Sequence, residues 1–562
     1  MRVRRLIPVG LLAVVCAAVA WWVGATPEPA LRLQLMRWQF WMLEAQFLLL
    51  AALTWVNVPR AIRAFRPGRP AIVAAAGISA LMAALVIGVA PRTNRIYYDE
   101  HIYEGVAQNL ADLHRAQVCN DGTVEYGSLQ CSRAEYNKEP AGYPYLLSLG
   151  YRLVGVHESV AHYLNALCAV AVVWVVFVTA CGLFGSTSGV LAALAITLIP
   201  QQLVWSHTAA AEPSAALASA LAVLAAVYHV RDRSTTSLIW VAAAVAFAVQ
   251  FRMESLLIAP VTALILAVYA PDEFLRPRFW WSALLVVTLC GLHAGHIAAI
   301  QGDSWGSAGP RLSLGYFWSN LQVNGLFYLD NVRFPVVLTA LAAVGLLARP
   351  TKAVAVIGMV FLAFWGVFLV FYAGSYNFGA DVRFSLLSYP ALALLSGRGA
   401  AALHGTVARR TGVAPAWGMV IAALGVQFLW FVPQVRAVGE EAWAARADVR
   451  FAQRVIPTLP ANAIVLTHNP SIFLLNGMSA AQMSFASSEP AYVARILSDR
   501  YAGGIFLHWN AWCGYTDRVQ QAFCESTLRS FSSELVAEYR ERDFRYAFYR
   551  LLTQGTIAKT AP

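Results

Sequence analysis

Long apolar segments, separated by short polar connections, recur along most of the chain. Many of them are about 17–25 residues long, the length that an α-helix needs to cross a hydrocarbon core about 30 Å thick. We interpret the following segments as spans: 6–24, 37–57, 70–90, 160–184, 187–205, 211–229, 237–251, 254–270, 279–299, 335–349, 353–373, 383–398 and 415–433. The pattern therefore predicts an α-helical polytopic membrane protein with about thirteen transmembrane helices.

Basic residues concentrate in the loops on one side of these predicted helices. They are Arg2, Arg4, Arg5, Arg60, Arg63, Arg66, Arg69, Arg231, Arg233, Arg276, Arg278, Arg349, Lys352, Arg398, Arg409 and Arg410. Because cytoplasmic loops carry an excess of lysine and arginine, we assign this side to the cytoplasm. The outer side then receives the long loop 91–159, a short turn around Glu212, the connections 300–334 and 374–383, and everything after about 434.

The first apolar run follows a basic start, a pattern that also fits a signal peptide. The run ends at Trp21-Trp22-Val23, with no convincing small-residue cleavage site after it. We therefore favour a retained first helix over a cleaved signal peptide.

The C-terminal segment is more polar, and short apolar runs alternate there with helical patterns. Two such runs, 463–466 and 504–507, have the length and composition of buried strands. Strands that alternate with helices indicate a small α/β domain. We therefore divide the chain into a membrane module, 1–433, whose first outer loop is 91–159, and an outer domain, 434–562.

Composition agrees with a lipid-solvated protein. Hydrophobic residues make up 59% of the 562 residues and charged residues only 13%, against about 25% in an average soluble domain. The formal net charge of +11 is explained by the basic loops, and no continuous basic face interleaved with aromatic residues is present. We therefore expect membrane lipids as partners and no nucleic acid.

Four of the eight cysteines lie in segments that we place outside the cytoplasm. Cys119 and Cys131 share the first outer loop, and Cys513 and Cys524 share the C-terminal domain. Disulfides form in such oxidising compartments, so each pair is a candidate disulfide. The absence of a CxxC motif argues against a structural zinc site.

The segment 94–104 combines aromatic and acidic residues just beyond the third predicted span. Asp99 and Glu100 form a carboxylate pair directly after Tyr97 and Tyr98. Asp99 has the position of a helix N-cap, and Tyr97 and Tyr98 are the kind of residues that lie at lipid headgroups. The same residues also have a functional interpretation, in which Tyr97 and Tyr98 stack on a sugar and Asp99 acts as general base. Spacing alone does not separate the two interpretations.

Several short motifs, in order along 70–400, resemble the GT-C glycosyltransferases. The resemblance is to the branch of protein O-mannosyltransferases and aminoarabinose transferases, which place an acidic pair in the first outer loop followed by a Lys-Pro-Pro-like element. The matching motifs are Tyr98-Asp99-Glu100, Asn137-Lys138-Glu139-Pro140-Ala141-Gly142-Tyr143-Pro144-Tyr145, Ala211-Glu212-Pro213-Ser214, Phe251-Arg252-Met253-Glu254 and Arg383-Phe384 with Pro390. The chain departs from the family where Glu139 separates Lys138 from Pro140.

The resemblance implies a fold, a reaction and a set of site residues. The fold is a GT-C membrane module with a small C-terminal periplasmic α/β domain. The reaction is inverting transfer of a sugar from a polyprenyl-phosphate donor to an acceptor on the outer face. Asp99 would be the general base, and Glu100 would orient the acceptor or bind a sugar hydroxyl. We expect the remaining site residues to be Arg252, Lys138 and Arg383 for the donor phosphate and Tyr97, Tyr98, Glu212 and Tyr143 for the substrates.

Elementary electrostatics fits this reaction. A departing phosphate at the membrane surface needs cations near it, and Arg252 lies within an otherwise apolar run beside Glu254. Ionisable residues in such runs usually serve function, although interfacial arginines and lysines also snorkel without one. No certain cofactor follows from the sequence: a divalent metal is compatible with it, but a single phosphate leaving group next to cations does not require one.

Two other classes of membrane protein are alternatives, and the number of spans would suit the first of them. A transporter or lipid-linked saccharide flippase would show internal repeats and ionisable residues at mid-membrane. We find no internal repeat in the sequence and few ionisable residues at mid-membrane. A polymerase or ligase like those of O-antigen synthesis would place its chemistry in a large late outer loop. The composition, rich in Arg and Ala, favours a bacterial inner membrane, whereas lipid, glycan and protein acceptors all remain compatible with the sequence.

Overall fold

The computed structural model describes residues 3–96, 98–303, 309–376, 381–441, 443–489, 492, 496, 501–514 and 518–552. The chain forms two compact units, each assembled from segments that are distant in sequence. The helical unit consists of Met1–Arg92, Lys138–Tyr143 and His162–Val438. The sheet unit consists of Thr93–Asn137, Pro144–Ala161 and Gly439–Pro562.

Nine helices in the described part of the chain are long and apolar enough to cross a membrane. Numbered in chain order among all helices, they are α1 (Val3–Ala25), α2 (Glu28–Phe65), α3 (Arg69–Gly88), α6 (Glu158–Phe184), α9 (Glu212–Asp232), α12 (Pro277–Ala299), α15 (Lys352–Gly366, extended by the 3-10 turn Val367–Leu369), α16 (Tyr389–Thr411, preceded by the 3-10 segment Asp381–Ser388) and α17 (Val413–Glu441).

Shorter helices accompany these nine. Four are apolar, namely α7 (Ser186–Thr197), α10 (Thr235–Ala248), α11 (Ile258–Tyr269, preceded by the 3-10 turn Met253–Leu257) and α14 (Val336–Leu347). The connections contain α8 (Pro200–Trp205), α13 (Phe317–Phe327) and the 3-10 turns Pro271–Leu275 and Leu314–Tyr316.

Polar caps and special backbone positions set several helix ends. At the starts of α10 and α15, the hydroxyl oxygens of Ser234 and Thr351 accept hydrogen bonds from the backbone N–H groups of Ser237 and Val354. Such caps satisfy N–H groups that have no partner within the helix. Between α16 and α17 the backbone of Gly412 has φ of 95°, a conformation that residues with a Cβ rarely adopt.

The sheet unit contains one mixed sheet. Its seven described strands are β1 (Gln117–Glu125), β2 (Ser128–Tyr136), β3 (Ile464–Thr467), β4 (Ser479–Gln482), β5 (Ile505–Trp509), β6 (Ser532–Glu541) and β7 (Phe544–Leu552), in the order β2-β1-β4-β3-β5-β7-β6. Strand β3 runs parallel to β4 and β5, and the other neighbours are antiparallel. The accompanying helices are α4 (Asp99–Leu113), α5 (Gly142–Val154), α18 (Trp443–Val455), α19 (Pro470–Leu474), α20 (Met483–Ser488), α21 (Ala511–Gly514) and α22 (Arg518–Ser530).

Both faces of the central strands are buried. Val465 and Phe506 belong to one apolar cluster, together with Phe451 of α18. Their neighbours Ile464, Leu466, Ile505 and Leu507 belong to a second cluster, together with the disulfide-bonded Cys513 and Cys524. This arrangement explains the continuous apolar runs of β3 and β5, since alternate side chains of a strand point to opposite faces.

The predicted fold class, a helical multi-pass membrane protein with a C-terminal α/β domain, is confirmed. The predicted apolar strand runs 463–466 and 504–507 correspond to β3 and β5. The count of about thirteen spans stays a prediction, because four of the apolar helices in the described chain have only 10–17 residues.

The structure groups the first outer loop differently from our division at residue 433. We placed the loop 91–159 in the membrane module, whereas most of it lies in the sheet unit. The physical reason is strand pairing: Asp121 and Gly122 of β1 pair with Ala481 and Ala480 of β4. An apolar pattern does not disclose a pairing between strands that are so distant in sequence.

Candidate functional site

Three of the residues predicted to bind substrate form one buried ionic cluster in the helical unit. The carboxylate Oε1 of Glu212 lies 2.9 Å from Nη1 of Arg252 and 3.0 Å from Nε of Arg383. Arg252 also contacts Glu254, with Nε 2.9 Å from Oε1. Glu212 is fully buried, and the two arginine side chains are only 10–11% exposed. The cluster therefore lies within the protein and is formally neutral, with two arginines and two glutamates.

An aromatic ring adds to the same cluster. The guanidinium carbons of Arg252 and Arg383 lie 5.3 Å and 5.0 Å from the ring centre of Phe384. Phe384 in turn stacks on Phe368, with centroids 4.8 Å apart and the planes nearly parallel. Cation–π contacts of this kind are stronger when they are desolvated, so the ring helps to fix where both arginines point.

The local backbone explains how these side chains meet. Glu212 is the first residue of α9, and Pro213 follows in the first turn, a position that suits proline. Arg252 has an extended backbone between the end of α10 and the 3-10 turn Met253–Leu257. Arg383 lies in the 3-10 segment before α16. Each of these three side chains thus comes from an interruption between apolar helices.

The segment that carries Lys138 packs against the connection that carries Arg252. The backbone N–H of Gly142 donates to the carbonyl of Gln250 at 2.8 Å. A Cβ on Gly142 would lie 2.5 Å from that carbonyl oxygen, so only glycine allows this approach. Lys138 itself is half-buried. Its role toward a donor phosphate stays a prediction.

Tyr143 is packed inside the helical unit. Its hydroxyl accepts a hydrogen bond of 3.4 Å from the side-chain amide of Asn165, which also donates to the carbonyls of Thr208 and Ala210. Asn165 thereby joins the Lys138–Tyr143 segment to the connection that leads into Glu212. The structure gives Tyr143 a packing role, and its predicted contact with substrate stays a prediction.

Asn165 is a residue that the sequence reasoning missed. It is fully buried in α6 and makes these contacts from within the first half of an apolar run. A polar amide within such a run was the available signal, since polar side chains in membrane helices usually hydrogen-bond to a neighbouring segment.

The acidic motif lies in the sheet unit, at the start of α4. Asp99 is the first helical residue, so it does not take the N-cap position, which belongs to Tyr98. Tyr98 has φ of 83° and ψ of −54°, close to the strained γ-turn conformation. Tyr97 lies outside the described residues, so its predicted stacking on a sugar stays a prediction.

The side chain of Tyr98 is held by the C-terminal part of the sheet unit. Its hydroxyl donates to the carbonyl of His468 at 2.7 Å and accepts from the side-chain amide of Gln482 at 3.2 Å. Its ring contacts that of Trp512 edge to face, with centroids 6.2 Å apart. These contacts maintain an otherwise unfavourable backbone, a combination that is common at functional sites. They also give Tyr98 a positioning role beside Asp99, and its predicted contact with substrate stays a prediction.

Glu100 points into the protein. Its Oε2 accepts hydrogen bonds from the backbone N–H groups of Arg95 and Ile96, at 2.5 Å and 3.0 Å. Burial raises the pKa of Glu100 to about 8, against the effect of these bonds and of nearby His101. The carboxyl thus holds the segment before the acidic motif, and its predicted role toward the acceptor stays a prediction.

The next turn of α4 carries a second buried polar pair. Nδ1 of His101 lies 2.9 Å from Oε2 of Glu104. Burial raises the pKa of Glu104 to about 7, although the hydrogen bond and charge of His101 act in the opposite direction. Burial alone would lower the pKa of His101, but the hydrogen bond and charge of Glu104 raise it. Both shifts favour protonation of this pair relative to the isolated groups.

Both candidate disulfides are present in the structure. Cys119 is bonded to Cys131 across the β1–β2 hairpin, and Cys513 to Cys524 between α21 and α22. His468 lies close to the second pair, and the three residues are the one group in the described chain whose potential metal ligands lie within 4.8 Å of one another. Because the two sulfur atoms are bonded to each other, the group as it stands offers only the imidazole of His468 as a ligand.

Part of the helical unit is similar in sequence to a known protein family. Residues 138–293 match the family model described as dolichyl-phosphate-mannose-protein mannosyltransferase. This match covers Lys138, Tyr143, Glu212 and Arg252, but neither Asp99 nor Arg383. No curated protein sequence matches the chain.

Two solved structures of ArnT from Cupriavidus metallidurans resemble the fold of the chain. The structure bound to undecaprenyl phosphate has a TM-score of 0.54 at 15% identity, over 86% of this chain and 98% of that one. The apo structure has a TM-score of 0.56 at 14% identity, over 85% and 97%. Likeness at this level of identity shows the fold. The chain is thus a multi-pass membrane protein with the fold of the GT-C glycosyltransferases, and its resemblance to their O-mannosyltransferase and aminoarabinose-transferase branch is confirmed.

Proposed function

We propose that the protein is an inverting glycosyltransferase that takes a sugar from a polyprenyl-phosphate donor. Transfer takes place on the outer, periplasmic face of the bacterial inner membrane, to a lipid, glycan or protein acceptor. The observation that carries this proposal is the buried cluster in which Glu212 holds Arg252 and Arg383 side by side. Two guanidinium groups fixed in a poorly solvated place are suited to stabilise a phosphate as it leaves.

The donor phosphate binds to the arginine cluster in this proposal. Arginine binds phosphate through several N–H groups in a fixed geometry, and here the positions of both arginines are already set by Glu212 and Phe384. The cluster is formally neutral, so the phosphate needs one more positive charge. Lys138 supplies it, from the segment that Gly142 anchors at Gln250. The undecaprenyl phosphate bound to ArnT supports a donor of this class.

Asp99 serves as the general base in the same proposal. Its carboxylate accepts the proton of the acceptor nucleophile while that nucleophile attacks the anomeric carbon from the side opposite to the phosphate. The bond from the anomeric carbon to the phosphate oxygen breaks, and the electron pair leaves with the phosphate, which inverts the configuration. Tyr98 and Glu100 hold the backbone on either side of Asp99 and thereby fix its position.

The test compares Asp99→Asn with wild type and with Asp543→Asn, a control at an exposed turn of the sheet unit. Each purified protein receives a panel of polyprenyl-phosphate sugars, with membrane extract as acceptor. A general base contributes about 10²–10⁴-fold, so we expect Asp99→Asn to lose at least about a hundredfold in rate. The control should retain the wild-type rate.

Other outcomes would favour another function. Binding of donor lipids without any transfer would favour a transporter or flippase. Polymerisation of an already lipid-linked glycan would favour the polymerase class. Full activity of a folded Asp99→Asn variant would show that Asp99 is not the base.

A further inference from the structure

A second cavity, distinct from the arginine cluster, lies wholly within the sheet unit. It has a volume of about 260 Å³ and is lined on its polar side by His101, Glu104, Glu158 and Gln453. Ile472 and Leu475 contribute to its apolar side. At about 30 Å³ per water molecule, the cavity has room for a group the size of one sugar ring.

One carboxylate oxygen in this cavity has no hydrogen-bond donor among the described residues. Glu104 is fully buried, and its Oε1 accepts no hydrogen bond from the described residues. Its other oxygen is already engaged by His101. A buried carboxylate oxygen without a donor is costly, so a ligand that brings a hydroxyl to Oε1 would remove that cost.

The second carboxylate is held by a different element. Oε2 of Glu158 accepts a hydrogen bond of 2.8 Å from the side-chain amide of Gln453, a residue of α18. Two carboxylates therefore reach the cavity from α4 and from the start of α6, with fixed orientations. Carboxylates accept hydrogen bonds from neighbouring hydroxyl groups, whereas the apolar wall suits the C–H face of a ring.

We propose that this cavity binds one sugar ring of the acceptor, with ring hydroxyls donating to Glu104 and Glu158 and one ring face lying on Ile472 and Leu475. A neutral polyol fits better than a metal ion or an ammonium group. His101 already compensates the charge of Glu104, and no three potential metal ligands of the described cavity lie within 4.8 Å of one another.

The consequence for the reaction rests on the proposed function. Glu104 lies five residues beyond Asp99 on α4, which corresponds to about 7.5 Å along the helix axis. Five residues also turn the helix by about 140°, so the cavity and Asp99 lie on different sides of α4, and the ring bound at Glu104 is a part of the acceptor remote from its nucleophile. The acceptor would then be a saccharide or a glycolipid rather than an unmodified protein.

The test measures binding of simple sugars to the full-length protein in detergent. The probes are methyl glycosides of glucose, galactose, mannose and N-acetylglucosamine, detected by saturation-transfer NMR, which reports weak binding. We expect at least one of them to bind saturably to wild type. Leu475→Trp, which fills the cavity without a change of charge, should weaken this binding at least tenfold, and so should Glu104→Ala, which removes an acceptor. Leu535→Trp, at an exposed position of β6, is the matched control and should bind as wild type does.

Several results would overturn the proposal. One is that no glycoside binds saturably to wild type, and another is that glycosides bind equally to Leu475→Trp and wild type. A third is that methylammonium or Mn²⁺, added alone, displaces the bound glycoside. Asp99→Asn separates this proposal from the proposed function, because it should lose transfer and keep glycoside binding. If wild type transfers sugar and Leu475→Trp has an unchanged KM for the acceptor, the cavity proposal fails and the glycosyltransferase proposal stands.

Discussion

Single residues in the sheet unit show how the acidic motif is held. Tyr98 adopts a backbone conformation that costs about 1–3 kcal/mol, and its hydroxyl and ring are fixed by His468, Gln482 and Trp512. Glu100 fixes the preceding segment through two backbone N–H groups. Asp99 lies between these two residues, so buried contacts position its neighbours on both sides.

Glu100→Gln should alter the pH dependence of stability. The pKa of Glu100 is about 8 in the folded protein, because of burial, and about 4.3 for an ordinary glutamate in an unfolded chain. Between these values the folded protein holds a proton that the unfolded chain has released. The contribution of Glu100 is therefore complete below about pH 4.3 and is lost as the pH rises through 8. We expect the wild-type unfolding midpoint to fall more steeply from pH 5 to pH 8 than that of Glu100→Gln, measured by thermal scans of both proteins.

The neighbouring pair does not obscure this comparison. The raised pKa values of His101 and Glu104 change stability in the same direction, and they do so in both proteins. Exposed Glu534→Gln serves as control and should follow wild type. Parallel pH profiles of wild type and Glu100→Gln would contradict the assignment of a buried, protonated Glu100.

At the scale of elements, the helical unit brings together connections from four places in the chain. Gly142 anchors the Lys138 segment at Gln250, and Asn165 links Tyr143 to the connection before Glu212. Glu212 then joins Arg252 and Arg383. Removal of one partner from a buried ion pair costs about 3–5 kcal/mol, so these connections depend on one another.

Gly142→Ala should separate two of these connections. The added Cβ would meet the carbonyl oxygen of Gln250 at 2.5 Å and its carbon at 2.6 Å, so the backbone has to move. Overpacking of this kind costs about 1–3 kcal/mol, and the displaced segment carries Lys138. We expect a lower unfolding midpoint and at least a tenfold loss of sugar transfer. Gly418→Ala, in α17 with no heavy atom within 4 Å of the added Cβ, should keep the wild-type rate of transfer and should not lower the unfolding midpoint. Equal behaviour of the two variants would exclude a special role for the contact of Gly142.

The sequence predicted some of these elements better than others, for physical reasons. Arg252 was predicted as a site residue because a charge within an apolar run is costly unless it is used or paired, whereas Glu212 and Arg383 were predicted from motifs that resemble the family. Their mutual ion pairs and the role of Asn165 were not predicted, because an apolar pattern gives the length of a helix and not its neighbours. The pairing of β1 with β4 was missed for the same reason.

At the scale of the whole molecule, the candidate chemistry is divided between the two units. The helical unit contains the cations proposed for the donor, and the sheet unit contains the proposed base and the proposed acceptor cavity. Segments of the two units alternate along the sequence, so neither unit corresponds to a continuous part of the chain. The proposed function also requires that the sheet unit lie outside the cytoplasm, as the basic loops predict.

Cysteine labelling tests that orientation directly. Leu535→Cys places a thiol on exposed β6, and Arg410→Cys places one at the exposed end of α16, in a loop that we predict to be cytoplasmic. In intact spheroplasts a membrane-impermeant maleimide should modify Leu535→Cys and should leave Arg410→Cys unmodified until the membrane is opened. The parent protein, whose free cysteines Cys16, Cys168, Cys181 and Cys290 all lie in apolar helices, supplies the background. Labelling of Arg410→Cys alone in intact spheroplasts would reverse the orientation. It would place Asp99 and the two disulfides of the sheet unit on the cytoplasmic side. The cytoplasm is not an oxidising compartment and would not maintain those disulfides.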